Sequence, residues 1–200
     1  MITVKPLSPQ IPAWQSLWRD SIRDPLELLE LLGLQGFSGL VSAQAQGQFA
    51  LRVPRGFAAK MRTGDINDPL LRQVLPLHDE LLQAAGFSQD AVGDLASRQL
   101  PGVLHKYQSR ALLVTTGACA INCRYCFRRH FPYAEENAAA NQWQQAVDYL
   151  SKDSSITELL LSGGDPLSLS TAKLRSLVSQ LKPLPHIKRL RFHTRLPIVL

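Results

Sequence analysis

Three cysteines form the most informative group in the sequence. Cys119, Cys123 and Cys126 are the only cysteines of the 200-residue chain and lie within eight residues. A disulfide would leave one thiol over, and structural zinc needs a fourth ligand, which His130 could supply. A cluster of four irons and four sulfides bound by three thiolates leaves one iron without a protein ligand. The spacing, with Tyr125 just before the last cysteine, favours the iron–sulfur cluster, and zinc remains the alternative.

An iron without a protein ligand has a specific chemical use. It can bind the amino and carboxylate groups of S-adenosylmethionine and pass an electron to the sulfonium. The carbon–sulfur bond then breaks, and the resulting 5′-deoxyadenosyl radical takes a hydrogen atom from a substrate. In such an enzyme the protein holds the cofactors and keeps water and oxygen away from the radical.

The elements around the cysteines alternate between strand and helix. Buried strands are predicted over 110–118, 156–164 and 187–200, and helices with one apolar face over 139–153 and 170–184. This order indicates parallel βαβ units and an α/β fold. The cysteines follow the first strand directly, at the end where barrels and open parallel sheets place their chemistry.

The first part of the chain has a different sequence pattern. Residues 1–100 read as short helices separated by Pro and Gly, for example the segment DPLELLELLG, where Asp24 caps the helix and Gly33 ends it. We expect a mainly helical region over 1–100 and the first βα units over 101–200. Three strands alone would leave a half-open sheet, so we interpret the chain as truncated at Leu200.

Composition describes a globular chain, with 45% hydrophobic and 19% charged residues. No apolar run is long enough to span a membrane, and the N-terminus has no signal-peptide pattern. Clustered cysteines without an export signal indicate a reducing, cytoplasmic location.

Positive charge is concentrated near the end of the chain. Between Pro166 and Leu200 there are seven Lys or Arg residues and no acid, within a net charge of +6. Such a stretch can face nucleic acid or an anion, but we interpret it as a face whose acidic partners lie elsewhere. Arg189 and Arg191 share one face of the third strand, and we expect acids from the helical region or from sequence beyond Leu200 to pair with them.

Several segments resemble a known family. CAINCRYC after a strand resembles the radical S-adenosylmethionine superfamily. The longer segments PGVLHKYQSRALLVTTGACAINCRYCFRRHFPY, DPLLRQVLP, LLSGGDPL and PHIKRLRFHTRLPIV resemble the lysine 2,3-aminomutases. Tyr125 stands where the catabolic enzymes carry His. Together with FRRHFPY, it makes the chain most similar to the bacterial branch that supplies (R)-β-lysine for elongation factor P.

The resemblance implies a fold, a reaction and a set of partners. The fold would be a helical N-terminal region followed by the first half of a partial (βα)6 TIM-like barrel. The reaction would convert L-α-lysine to (R)-β-lysine with a 4Fe–4S cluster, S-adenosylmethionine and pyridoxal 5′-phosphate. The product would feed the ligase that modifies elongation factor P, and a reducing electron donor would be needed. Neither a membrane nor a nucleic acid is expected as a partner.

The resemblance also assigns residues to S-adenosylmethionine and to the substrate. Ser162, Gly163, Gly164 and Asp165 would line S-adenosylmethionine, with Asp where the superfamily usually has Glu. Thr194 and Arg195 would contact the same cofactor. His193, beside them, is either an adenosine contact or a packed core histidine.

Arginines after the last cysteine and a segment before the first strand complete the implied site. Arg128 would pair with the lysine carboxylate, and Arg129 is either a second contact or a surface residue. Lys106, Tyr107 and Arg110 would lie near pyridoxal phosphate. The Schiff-base lysine and the acids for the ε-amino group would lie beyond residue 200.

Two other functions remain open from the residues. The same scaffold could carry a different radical enzyme that modifies RNA or protein, which the basic stretch would suit. Alternatively, Cys119, Cys123, Cys126 and His130 could form a non-enzymatic zinc module that binds RNA. Iron and sulfide in protein purified without oxygen would separate the radical enzymes from the zinc module.

Overall fold

The computed structural model describes residues 13–136, 138–141 and 143–200. The N-terminal segment examined for a signal peptide lies mostly outside the described residues. The described part is a mixed α/β structure with N-terminal helices and one five-stranded sheet. No helix within these ranges is long and apolar enough to cross a membrane.

Short helices form the N-terminal part. Asp24 caps the second of them by accepting a hydrogen bond from the Leu26 N–H at 2.9 Å, as its sequence predicts. Tight 3₁₀ turns occupy much of the chain between the helices and the sheet. The α-helices are α1 (Ala13–Arg19), α2 (Pro25–Leu31), α3 (Ala43–Gln48) and α4 (Arg55–Ala58).

The five strands follow one another in the sheet in chain order. The order is β1 (Arg98–Leu100), β2 (Val103–Tyr107), β3 (Arg110–Thr116), β4 (Glu158–Gly163) and β5 (Arg189–Phe192). Strands β3, β4 and β5 pair in parallel, which confirms that prediction. Strands β1 and β2 pair antiparallel beside them and were not predicted.

Two helices cover one face of this sheet, α5 (Gln144–Lys152) and α6 (Thr171–Leu181). Helix α5 begins later than predicted because Trp143 has a left-handed backbone, with a φ of 73°. Ser170 caps α6, and Leu177 and Leu181 are buried as predicted. Val178 of the same helix is 40% exposed, so the apolar face predicted for this helix is only partly covered.

The third parallel strand is shorter than the sequence predicts. Strand β5 ends at Phe192, and the last residues form the helix α7 (Leu196–Val199) instead of continuing the strand. The Asp165 carboxylate accepts the backbone N–H groups of Arg195 and Leu196, which turns the chain out of the sheet. Pro197 in the first turn then suits a helix. The predicted strand to Leu200 was therefore wrong.

Buried apolar residues form two groups. One group lies between the sheet and helices α5 and α6. The other lies in the N-terminal part and also contains Ala120, Ile121 and Cys123 of the cysteine segment, together with Val199 of α7. The segment with the cysteines is therefore anchored by the core of the N-terminal helices.

Candidate active site

A cavity of about 620 Å³ lies against the sheet face opposite α5 and α6. Successive side chains of a strand point to opposite faces, so Leu112 and Leu160 line the cavity while Leu113 and Leu161 pack against the helices. Every residue assigned above to the cluster, to the cofactors or to the substrate contributes to its wall. These residues come from β2, β3, β4, the cysteine segment and the end of β5.

The N-terminal helices hold the cysteine segment from outside the cavity. The carbonyl oxygen of Cys119 accepts hydrogen bonds from Trp18 Nε1 at 3.1 Å and from Arg52 Nη1 at 3.3 Å. Asn122 donates from its backbone to Arg52 O and from its side chain to Ala50 O. Sequence reasoning missed this contribution because Trp18 and Arg52 belong to no recognisable motif.

Burial raises the pKa of two of the three thiols, those of Cys119 and Cys123. It raises the pKa of Cys119 to about 12, and the nearby Asp165, Cys126 and Cys123 act in the same direction. Burial also raises the pKa of Cys123, although the positive charge of Arg195 opposes it. Metal ligation requires thiolates, so metal binding at this site would release protons.

The position of His130 argues against a zinc ion held by the three cysteines and His130. A zinc ion needs its ligands within about 2.3 Å of one point. Within the described residues, no group of three or more His, Cys, Asp or Glu side chains is arranged to hold a metal ion. His130 lines a separate cavity of about 170 Å³, whereas the three cysteines line the large one. A four-iron cluster binds each cysteine at a different corner, so its thiolates can lie farther apart.

The two glycines at the end of β4 allow the strand to approach the cysteine segment closely. The Gly164 N–H donates to Thr116 O at 2.6 Å, and the Asp165 N–H donates to Ala118 O at 2.7 Å. A Cβ atom on Gly164 would lie 2.3 Å from Ala118 O, and Gly163 has a φ of 112°. Only glycine fits both conditions, so this turn brings the end of β4 against the chain that carries the cysteines.

Asp165 links the ends of β4 and β5. Its Oδ1 accepts from Thr194 Oγ1 at 2.7 Å and from the Leu167 N–H at 3.0 Å. Its Oδ2 accepts from the N–H groups of Arg195 at 2.7 Å and Leu196 at 3.0 Å. A carboxylate offers about four acceptor positions, so partners within the chain use the whole group. The hydroxyl of Thr194 is engaged in the same link.

Arg195 reaches the cysteines rather than open cavity space. Its Nη1 donates to Cys123 Sγ and to the hydroxyl of Tyr125, and its Nη2 donates to Gln73 Oε1 at 3.3 Å. The guanidinium carbon lies 5.6 Å from the centre of the Tyr125 ring. His193 also lines the cavity and is exposed there, so it is not a packed core histidine.

Arg128 is buried and already has protein partners. Its Nε donates to Asp94 Oδ2 at 2.7 Å, and its Nη1 donates to Ser162 Oγ at 3.0 Å. The Phe127 ring lies 4.8 Å from the guanidinium carbon. Asp94 was missed by sequence reasoning, because no motif surrounds it and only the fold brings it to Arg128.

Arg129 is neither a cavity residue nor a surface residue. It donates to Glu80, which also forms an ion pair with the buried Arg124. Burial alone would raise the pKa of Glu80. Hydrogen bonds from Arg124, the Leu77 N–H and Arg129 outweigh this effect and hold the pKa below its ordinary value. The Nε and Nη2 atoms of Arg129 are buried without a partner among the described residues.

The end of β2 and the first residue of β3 also line the cavity. Lys106 Nζ donates to Val92 O, and Tyr107 is 61% exposed. Arg110 donates to the buried carboxylate of Glu158 at 2.8 Å.

Glu158 also pairs with Arg189 and Arg191 of β5. The acidic partner of the third-strand arginines was expected in the helical region or beyond Leu200. It is instead a neighbour in the sheet, because parallel pairing brings Glu158 opposite Arg189. Since one carboxylate faces three arginines, this part of the sheet, where Arg110 lines the cavity, keeps an excess of positive charge.

Comparison with known proteins agrees with these features. Residues 109–190 match the family model described as a 4Fe–4S single cluster domain. The chain is 48% identical over 194 residues to the L-lysine 2,3-aminomutase of Escherichia coli K12, covering 96% of this chain and 56% of that protein. It is 43% identical over 187 residues to the Haemophilus influenzae enzyme of that name, covering 94% and 55%.

A more distant relative shares the same name. The L-lysine 2,3-aminomutase of Clostridium subterminale is 28% identical over 190 residues, which cover 92% of this chain and 45% of that protein. The chain thus spans about half the length of the curated relatives that it matches.

Proposed function

The chain belongs to the lysine 2,3-aminomutase family of radical S-adenosylmethionine proteins, and from that premise we propose that the whole protein is an isomerase that converts L-α-lysine to (R)-β-lysine. The observation that carries this proposal is the shared cavity. One space of about 620 Å³ is lined by the three cysteines, by Arg128 and by the basic residues before β3. The cysteines could bind a cluster, Arg128 could bind a substrate carboxylate, and the basic residues could bind a phosphate.

The cysteines would hold the cluster, and each group bound in the cavity would supply its own chemistry. The 4Fe–4S cluster and S-adenosylmethionine would generate a radical, while pyridoxal phosphate would carry the migrating amino group. The Gly163–Gly164 turn keeps the cavity wall free of side chains beside the cysteine segment. Through its four hydrogen bonds, Asp165 would fix the geometry of this wall, with Thr194 as its partner.

Arg128 would bind the carboxylate of the substrate. Its Nε donates a hydrogen bond to Asp94 and its Nη1 donates one to Ser162. Among the described residues, Nη2 has no hydrogen-bond partner and could donate to a carboxylate. The two contacts fix the plane of the guanidinium before substrate arrives, which lowers the entropic cost of binding. Lysine in place of Arg128 cannot keep both contacts and a planar donor for the substrate.

The basic end of the cavity would take the phosphate of pyridoxal phosphate. Arg110, Lys106 and Tyr107 supply donors there, and the arginines around Glu158 leave the positive excess that a dianion requires. This dependence on pyridoxal phosphate is supported by the charge of the wall and by the sequence resemblance.

The cellular role and the architecture follow as further parts of the proposal. The product would serve the ligase that modifies elongation factor P, in the cytoplasm, with a reducing protein as electron donor. The described sheet would form the first half of a partial (βα)6 barrel. The division into a helical region over 1–100 and βα units over 101–200 is part of the same proposal, although Ala120, Ile121, Cys123 and Val199 pack with the buried apolar residues of the first region.

The test is direct. Full-length protein purified without oxygen and loaded with iron and sulfide is mixed with S-adenosylmethionine, pyridoxal phosphate, dithionite and L-lysine. We expect (R)-β-lysine on chiral chromatography, none without pyridoxal phosphate, and none from the Cys126→Ser variant. Arg128→Lys should raise the KM for lysine about tenfold or more, since a hydrogen bond to a charged group contributes about 1.5–3 kcal/mol. Cleavage of S-adenosylmethionine without β-lysine would contradict the substrate assignment.

A further inference from the structure

The side chain of Arg195 is directed at a sulfur atom of the cysteine segment. Its Nη1 donates to Cys123 Sγ and to the hydroxyl of Tyr125. The sequence resemblance assigns Arg195 to S-adenosylmethionine. In the structure, its closest partner among the cysteines is instead the thiol of Cys123.

Contacts from three parts of the chain hold Arg195 in this position. The Asp165 carboxylate accepts its backbone N–H at 2.7 Å, which fixes the chain just after β5. Gln73, from the N-terminal part, accepts from Nη2 at 3.3 Å. The Tyr125 ring lies 5.6 Å from the guanidinium carbon, at a distance suited to a cation–π contact. These contacts hold the guanidinium beside the sulfur of Cys123.

A fixed cation beside a cluster ligand has a predictable effect on electron transfer. Reduction adds one negative charge to an iron–sulfur cluster and to its thiolates. A nearby positive charge and an N–H donor to the sulfur both stabilise the reduced form. The partly buried site strengthens this effect, because solvent screens the charge less than it would at the surface.

We propose that Arg195 hydrogen-bonds to the thiolate of Cys123 when the cluster is bound and makes the cluster easier to reduce. This inference rests on the proposed function, because it requires a cluster on the three cysteines. Arg195 thereby acts through a cluster ligand and is a positioning residue for electron transfer. It would set how readily the cluster accepts the electron that S-adenosylmethionine later receives.

The test is a redox titration of the full-length, cluster-loaded protein without S-adenosylmethionine or lysine. Electron paramagnetic resonance measures the reduced fraction at each applied potential, so the readout does not depend on turnover. We expect Arg195→Met to lower the ratio of reduced to oxidised cluster at least tenfold at the wild-type midpoint, equivalent to about 59 mV for one electron. Arg195→Lys, which keeps the charge but not the planar fork, should give a smaller decrease.

Arg189→Met is the matched control, because Arg189 is an arginine of β5 that pairs with Glu158 and is exposed. Its midpoint should equal that of the wild type. An unchanged midpoint in Arg195→Met, with weaker S-adenosylmethionine binding, would overturn the inference and leave the proposed function intact. If the Arg195→Met variant does not bind iron, the Arg195→Lys variant decides instead. A midpoint potential of Arg195→Lys equal to that of the wild type would then overturn the inference. A wild-type protein that binds no cluster would overturn both.

Discussion

Trp18 Nε1 donates a hydrogen bond to the carbonyl oxygen of Cys119 at 3.1 Å, joining residues 101 positions apart in the chain. Arg52 reaches the same oxygen and also packs over the Trp18 ring, with its guanidinium carbon 5.2 Å from the ring centre. The first cysteine is therefore held by the N-terminal helices as well as by its own strand. The N-terminal part thus supports the cofactor site directly.

Trp18→Phe should loosen the cysteine segment without emptying the core around it. The change removes one hydrogen bond and keeps an aromatic ring, so we expect the free energy of unfolding to fall by about 1 kcal/mol. We also expect iron to be lost faster when cluster-loaded protein is challenged with a chelator. Absorbance of the cluster against time measures this rate.

Trp14→Phe provides the control. Trp14 stacks on Trp18, with 6.3 Å between the ring centres, and makes no hydrogen bond to the cysteine segment in the described part of the chain. Its rate of iron loss should match that of the wild type. Equal rates for Trp18→Phe and the wild type would mean that the hydrogen bond to Cys119 does not stabilise the site.

The metal assignment can be checked with two single substitutions. If three thiolates each bind one iron, Cys123→Ser should lose most of the bound iron and all cleavage of S-adenosylmethionine. His130→Ala should keep both, because His130 lines a different cavity from the cysteines. Iron and sulfide analysis of protein purified without oxygen measures the outcome. Loss of metal from His130→Ala, with normal metal in Cys123→Ser, would instead support a site that includes His130.

Local patterns in the sequence predicted helix α2 and the alternating parallel strands and helices after residue 110, but not β1 and β2. The Ser170 hydroxyl accepts from the Lys173 N–H, and Asp24 caps α2, as residues of those types do at helix starts. The parallel strands were predictable because apolar runs alternate with amphipathic helices. Strand β5 was predicted too long because its end depends on Asp165, 30 residues earlier, and no local pattern reports that contact.

The site was predictable where a short motif carries it and not where partners come from distant segments. The cysteines and the paired glycines are sequence motifs. By contrast, the buried partner of Arg128 lies 34 residues away at Asp94, and many other carboxylates could pair with an arginine equally well. Only the packed structure decides among them. Outside a helix or a hairpin, the two residues of an ion pair are not separated by any characteristic number of positions in the sequence.

Asp165→Asn should destabilise the protein because it disrupts the link between β4 and β5. Asparagine keeps one acceptor oxygen and places an NH₂ group against backbone N–H donors. The variant therefore loses at least one hydrogen bond to a charged group, with a cost of about 1.5–3 kcal/mol in the free energy of unfolding. Thermal or denaturant unfolding followed by circular dichroism measures this change.

Asp148→Asn is the comparison for Asp165→Asn. Asp148 accepts one side-chain hydrogen bond from Gln144 on the exposed face of α5, and its change should alter stability by no more than about 0.5 kcal/mol. Equal stability of the two variants would mean that the four hydrogen bonds at Asp165 contribute little. The link between the strand ends would then depend on packing alone.

Glu80→Gln should change how stability depends on pH. The pKa of Glu80 is held below its ordinary value in the folded protein, because Arg124 and Arg129 outweigh the effect of burial. A depressed folded-state pKa stabilises the protein above the unfolded-state value of about 4.3, and this contribution is lost as pH falls through the folded-state pKa. Wild-type protein should therefore lose stability below about pH 4.3 more steeply than Glu80→Gln.

At neutral pH the same variant should be less stable by about 3 kcal/mol or more, because it leaves two largely buried arginines without their carboxylate. The difference between wild type and variant should then shrink as the pH is lowered, since protonated Glu80 resembles glutamine. Denaturant unfolding at a series of pH values measures both effects. Glu30→Gln, on the exposed face of α2, is the control and should follow the wild-type curve. A constant difference between wild type and Glu80→Gln from neutral to acidic pH would show that the ionised carboxylate is not what stabilises this contact between the N-terminal helices and the cysteine segment.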